Sequence, residues 1–347
     1  MTRRLRNTAL AAAAVASLAL TACAGSADPA PGGYDSPKEL IPVTFQLNWV
    51  AGGFHAGFAV ALHDGFYEDA GLDVALVEGN GSGTTAQLVA SNQAQLAYAD
   101  AVSVAKLIGE GASMRVISTI YQSSPAEIQS LKDSNIGSVA DLKGKSVGVP
   151  SGAAQTVMLP LLLEANGLKE SDLTLVNMPP ASLVPSLLQK NVDAILGSSD
   201  SYRVQLQDQG ADIDYFPYAK NGVPTVSTSI FASDRYLVDH PDVVKSFLAA
   251  SLKGWYAALD DPEHALEALK AVFPDANEKS AAGELAAAAE LVCVNGAEYV
   301  GKATPEAWAA TQDMLASVGL LDKGVDPNTY FSNSYLPEDS KLRSCSS

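Results

Sequence analysis

Cysteine, histidine and arginine are scarce in this chain of 347 residues, and each scarcity closes off a chemistry. There are three cysteines and four histidines, and the histidines stand apart at His55, His63, His240 and His264. Nothing in that distribution has metal-ligand spacing, so neither a metal nor any other cofactor is expected. Basic residues number 22 against 39 acidic ones, a formal charge of −17. Such a surface repels the phosphates of nucleic acid and anionic lipid, which argues against both as partners. No glycine-rich loop carries the lysine of a nucleotide-phosphate loop. Beyond the first 22 residues no apolar run is long enough to span a bilayer.

What is present begins with an export signal. Arg3, Arg4 and Arg6 precede an apolar run at 9–20 that ends in Leu20-Thr21-Ala22-Cys23, a basic head and small-residue cleavage site typical of a secretory signal over 1–22. The Leu-Thr-Ala-Cys ending resembles a bacterial lipobox, which implies cleavage before Cys23 and lipidation there; Arg3-Arg4 also admits a twin-arginine route. Residues 23–41, rich in Ala, Gly, Ser and Pro, read as a flexible tether. Loss of three arginines leaves 19 basic residues against 39 acidic, about −20. With Cys23 lipidated, Cys293 and Cys345 remain as an even pair in an oxidising compartment, and a disulfide pinning the C-terminal tail near Leu291 is expected.

Hydrophobic periodicity then gives two similar series. Strands at 43–48, 73–77, 95–99 and 115–121 alternate with helices at 57–70, 84–91 and 102–109. After an irregular stretch at 122–135, strands at 146–149, 173–177 and 194–197 alternate with helices at 153–165, 181–189 and 202–209. A strand at 228–232 and helices at 242–260, 262–273, 279–291 and 305–318 complete the chain. Such alternation predicts parallel β-α-β units with right-handed crossovers, and some 300 residues predict two lobes.

The stretches Leu47-Asn48-Trp49, His55-Ala56-Gly57, Gly65-Phe66-Tyr67 and Gly71-Leu72-Asp73-Val74, with Tyr335-Leu336-Pro337 near the end, resemble the soluble binding proteins of ABC importers. The group in question takes up nitrate, sulfonates, taurine and thiamine-pyrimidine precursors, and the resemblance spans 43–337. It implies the type II periplasmic binding protein fold, an α/β architecture of two lobes, each a mostly parallel sheet flanked by helices. Lobe 1 would comprise 42–125 and 225–347 and lobe 2 126–224, with hinge crossings near 122–128 and 217–224. The implied protein is a monomeric receptor, not an enzyme, held on the outer face of the cell membrane by its lipid. It would deliver a small solute to the membrane subunits of a permease.

Four segments at strand ends are the candidate site. Asn48 and Trp49 offer an amide and a flat π face, or Trp49 is lobe packing. His55 contacts solute or holds the Gly52-Gly53 turn. Ser82, Gly83 and Thr84 open one helix and Ser151, Gly152 and Gln155 another, either as donors toward a ligand or as simple caps. Asp200 and Tyr202 follow a further strand, where Asp200 reads ring nitrogens or caps a helix. Tyr121 and Asp100, also at strand ends, are further ligand candidates, or they only line the hinge. Since Arg203 alone among the arginines lies near these segments, a nitrogen heterocycle is favoured, such as a thiamine-pyrimidine precursor or a flavin-like ring. A sulfonate, taurine or nitrate is the alternative, and would call for a cleft arginine. Val50-Ala51-Gly52-Gly53-Phe54 departs from the Pro-Asn type turn of the pyrimidine binders. Two rivals share the fold: a sensor domain, and a pyrimidine synthase whose cysteine-rich motif has no counterpart in this chain.

Overall fold

The computed structural model describes residues 39–346. The signal sequence, most of the tether and Cys23 lie outside the described residues. The chain lays down β1 (Ile41–Gln46), β2 (Leu72–Val77), β3 (Leu96–Asp100) and β4 (Met114–Thr119). It then crosses to a second sheet for β5 (Ala126–Leu131), β6 (Ser146–Pro150), β7 (Thr174–Met178), β8 (Ala194–Ser198) and β9 (Ile213–Pro217), and returns with β10 (Thr228–Ser233). The spatial orders are β2-β1-β3-β10-β4 and β7-β6-β8-β5-β9. Two α/β lobes result, joined by two crossings, as the sequence implied.

The strand that follows each crossing, β5 or β10, is antiparallel to both its neighbours, whereas the other pairs are parallel. Each sheet is thus mostly parallel, as expected, with one reversed strand. The reversal has a geometric consequence: an antiparallel strand begins level with the carboxyl ends of its parallel neighbours. Both crossings therefore feed the rim where ligands bind in open α/β sheets.

Helices α1 (Ala56–His63), α2 (Phe66–Asp69), α3 (Ser82–Ala90) and α4 (Ala101–Gly109) flank the first sheet; α5 (Ala154–Ala165), α6 (Leu183–Leu188) and α7 (Tyr202–Asp208) flank the second. The tail adds α8 (Asp234–Asp239), α9 (Pro241–Asp260), α10 (Pro262–Val272), α11 (Glu278–Val292) and α12 (Pro305–Ser317). Pro241, Pro262 and Pro305 each open a helix, where no amide proton is needed. The single helix expected over 57–70 is broken by Gly65, whose left-handed φ of +74° separates α1 from α2. Among the described residues no helix is long and apolar enough to cross a membrane.

The first lobe's core is aromatic: Phe45 meets Phe58 and Phe247 with ring centroids 4.9 and 4.8 Å apart. α1 and α9 approach so closely that a Cβ on Gly254 would stand 2.2 Å from the Gly57 carbonyl oxygen. That contact holds α1, and so the turn preceding it, against the lobe. Cys293 and Cys345 form the expected disulfide, with Cα atoms 5.3 Å apart, joining the end of α11 to the C-terminal tail.

Candidate functional site

Where β1 ends, its continuation is tied to the loop after β2. Gly81 N donates to the Asn48 carbonyl (2.8 Å), Gly79 N to that of Trp49 (3.0 Å), and Thr85 Oγ1 to that of Leu47 (2.9 Å). Trp49 is thereby fixed at the mouth of the sheet, half-buried, between the apolar clusters of both lobes. Its ring meets Tyr202, the first residue of α7 in the other lobe, edge-on at 6.3 Å between centroids. Gly83 N donates to the Gly152 carbonyl across the same gap at 3.1 Å. The lobes thus face each other over a cavity of about 70 Å³, several times the ~10–15 Å³ that one water centre needs.

Asn48, Trp49, Ser82, Asp100, Gln155, Asp200 and Tyr202 line this cavity, so seven of the thirteen candidate residues converge there. The other six sit beside it. His55 is fully buried, with its Nε2–H donating to Asn48 Oδ1 at 2.8 Å. Burial lowers its pKa to about 3, which keeps the imidazole neutral and makes it a brace for Asn48. Gly83 and Gly152 make the lobe-to-lobe hydrogen bond; Thr84 and Ser151 are exposed at the rim. Tyr121 is buried behind Asp200. Gln155 reaches the wall, but its Nε2 already donates to the Gly197 carbonyl at 3.2 Å.

Two buried carboxylates dominate the wall. Asp100 ends β3 and caps α4, accepting from Val102 N (2.8 Å) and Ser227 Oγ (2.6 Å); burial outweighs these bonds and raises its pKa to about 6. Burial likewise raises Asp200, against hydrogen bonds from Ser198 and Tyr121. Behind them Tyr98 and Tyr121 are buried, Tyr98 beside Thr228 and Tyr121 beside Asp200. Among the described residues no Lys or Arg lines the cavity. Arg203 is instead engaged by Glu127 at 3.0 Å, with its guanidinium 4.5 Å over the Tyr215 ring.

Sequence reasoning missed Phe54, Met158, Ser124, Ala126, Ser227 and Thr228 at the wall. The last four stand at the starts of β5 and β10. Their signal was the reversal of direction after each crossing.

These buried acids carry a stability signature. In the folded chain Asp100, Glu127 and Glu284 titrate near 6, 7 and 7, above their ordinary values of 3.8, 4.5 and 4.5. The folded form thus binds the extra protons between about pH 4 and 7, and these groups destabilise it as pH rises through that window. His55 opposes them, because its lowered pKa costs stability as pH falls below 6.5. With three groups against one, the solute-free protein is expected to melt at higher temperature near pH 5.5 than near pH 7.5. Scanning calorimetry showing the reverse order would refute this assignment of charge.

Two α/β lobes facing each other across a polar groove at their strand ends define a solute-binding receptor of the two-lobed type. The chain belongs to the NMT1/THI5 like family, whose model matches residues 53–265. It is 24% identical over 335 residues to the riboflavin-binding protein RibY of Chloroflexus aurantiacus, covering 91% of each chain. To the formylaminopyrimidine-binding protein of Halalkalibacterium halodurans it is 27% identical, over 69% of this chain and 73% of that one. A 4-amino-5-hydroxymethyl-2-methylpyrimidine phosphate synthase of Schizosaccharomyces pombe is 24% identical over 63% of this chain and 66% of that one. Among solved structures, the periplasmic aliphatic sulphonate binding protein SsuA of Escherichia coli superposes with a TM-score of 0.66 at 17% identity, over 86% of this chain and 94% of that one.

Proposed function

We propose that the protein is the exported receptor of an ABC importer and that its solute is a small nitrogen heterocycle, a thiamine-pyrimidine precursor or a flavin-like ring. The observation that carries the choice of solute is a cleft walled by Asp100 and Asp200 without a cation among its lining side chains. Ring N–H and amino groups donate to such carboxylates, and a π system lies against Trp49 and Tyr202. A sulfonate or nitrate placed there would meet like charge, and the features that favour it are the uncapped helix starts of α3 at Ser82 and of α5 beside Ala153 and Ala154. The relatives named for riboflavin and formylaminopyrimidine support the heterocycle.

The action is capture, not chemistry. Lobe 1 (42–125 and 225–347) and lobe 2 (126–224) rotate about the two crossings, and the solute stabilises the closed form by touching both walls. The closed form is what the permease recognises, and the monomer is held at the outer membrane face by lipid on Cys23. Against an enzyme stands the absence from the sequence of the cysteine-rich motif expected of the synthase reading. Thermal-shift screening tests the proposal: aminopyrimidine thiamine precursors or riboflavin are expected to raise the melting temperature. Stabilisation by alkanesulfonates, taurine or nitrate instead would overturn the choice of solute.

A further inference from the structure

At the outer end of α1, away from the cleft, three side chains meet that the sequence keeps apart. His63 and Asp64 end that helix, and His264 is the third residue of α10, packed alongside. Asp64 Oδ1 lies 2.9 Å from His63 Nδ1 and 2.9 Å from His264 Nε2, and Asp64 Oδ2 lies 3.0 Å from the same Nε2. The three donor atoms all fall within 4.8 Å of one another. The two imidazole side chains are 41% and 35% exposed, so an ion arriving from solvent reaches them and keeps water as a further ligand.

We propose that His63 Nδ1, Asp64 and His264 Nε2 bind a divalent transition-metal cation, zinc by preference, at the surface of the first lobe. Two imidazole nitrogens and one carboxylate oxygen form the borderline donor set that zinc and its late first-row neighbours take. At Zn–N and Zn–O lengths of 2.0–2.2 Å, tetrahedral donors stand about 3.3 Å apart. The two 2.9 Å pairs therefore open by a few tenths of an ångström, and the remaining pair closes within reach. Asp261 and Glu267 add negative charge around His264, a field that favours a cation.

Without metal each ring donates its proton to Asp64. Binding takes both of those nitrogens. A neutral imidazole moves its proton to the opposite nitrogen, and a protonated one releases a proton to solvent. The ion then clamps the end of α1 to the start of α10, about 12 Å along the helix from the cleft end at Ala56. It shares no ligand with the solute wall, and the inference stands independently of what the cleft carries.

Calorimetric titration of the full chain, freed of metal by chelation, with zinc chloride near pH 7.5 tests the proposal. One equivalent is expected to bind per chain, and His264→Ala or His63→Gln to weaken it roughly tenfold or more. His240→Ala, in the ring pair with Tyr236 and outside the cluster, is expected to leave it unchanged. Cobalt(II) in the same site is expected to give the visible absorption of a tetrahedral complex, a readout that fold damage alone would not mimic. Absence of binding in the unaltered chain, or undiminished binding in both cluster variants with circular dichroism unchanged, would overturn it.

Discussion

Replacing Trp49 by alanine is expected to weaken solute binding by roughly 30-fold or more, about 2 kcal/mol, the scale of a central aromatic anchor. The solute-free fold is expected to persist, because Trp49 is half-exposed and the first lobe's core is built on Phe45, Phe58, Phe247 and Trp255. The loss has two sources. The ring supplies a face for the solute, and its edge contact with Tyr202 exists only while the lobes are together. Both terms belong to the closed state, so removing them shifts the population toward the open one. Trp49→Phe, which keeps a face but less area, is expected to fall between. Calorimetry that finds the alanine variant with unaltered affinity would remove Trp49 from the site.

The second large effect is on stability. The Cys293–Cys345 bond closes a sequence separation of 52 residues, and a cross-link of that span stabilises by about 4 kcal/mol in the chain-entropy model. The tail it holds also pairs with the body through Val300 N to the Arg343 carbonyl and through the Arg343–Asp260 ion pair. Cys293→Ser is therefore expected to lower the denaturation midpoint markedly while leaving solute affinity intact, because α11 reaches the cleft side through Glu284 rather than through its cysteine end. Glu284 accepts from Gly53 N at 2.9 Å. Reductant should reproduce the effect in the unaltered protein, and equal midpoints with and without the bond would contradict it.

The alternating halves of the fold were legible because their strands and helices carry apolar residues at regular periods. β5 was not, and the reason lies in its residues. Glu127, Gln129 and Ser130 are polar yet buried, which erases any apolar alternation. Tertiary partners absorb them: Gln129 Nε2 donates to the Ser198 carbonyl at 2.9 Å and Glu127 holds Arg203. β9, with Asp214 inside and Pro217 at its end, and α8, a single short helix, offered too little pattern to detect.

At the site, the segments were legible and the side chains only in part. Strand ends followed by small residues marked Asn48, Ser82, Gln155 and Asp200. Burial decided against His55, whose ring faces inward to Asn48, and exposure decided against Ser151. The pairing of Asp64 with His264, 200 residues apart, lay beyond any local pattern. So did the capture of Arg203 by Glu127, which strengthens the case against an anion by occupying the nearest guanidinium.

A crystal structure of the protein with an aminopyrimidine bound bears most directly on the central claim. The ring is predicted to lie against the Trp49–Tyr202 pair, donating hydrogen bonds to Asp200 or Asp100, with both lobes in contact with it. A solute seated outside that groove, or inside it without touching either carboxylate, would contradict the account.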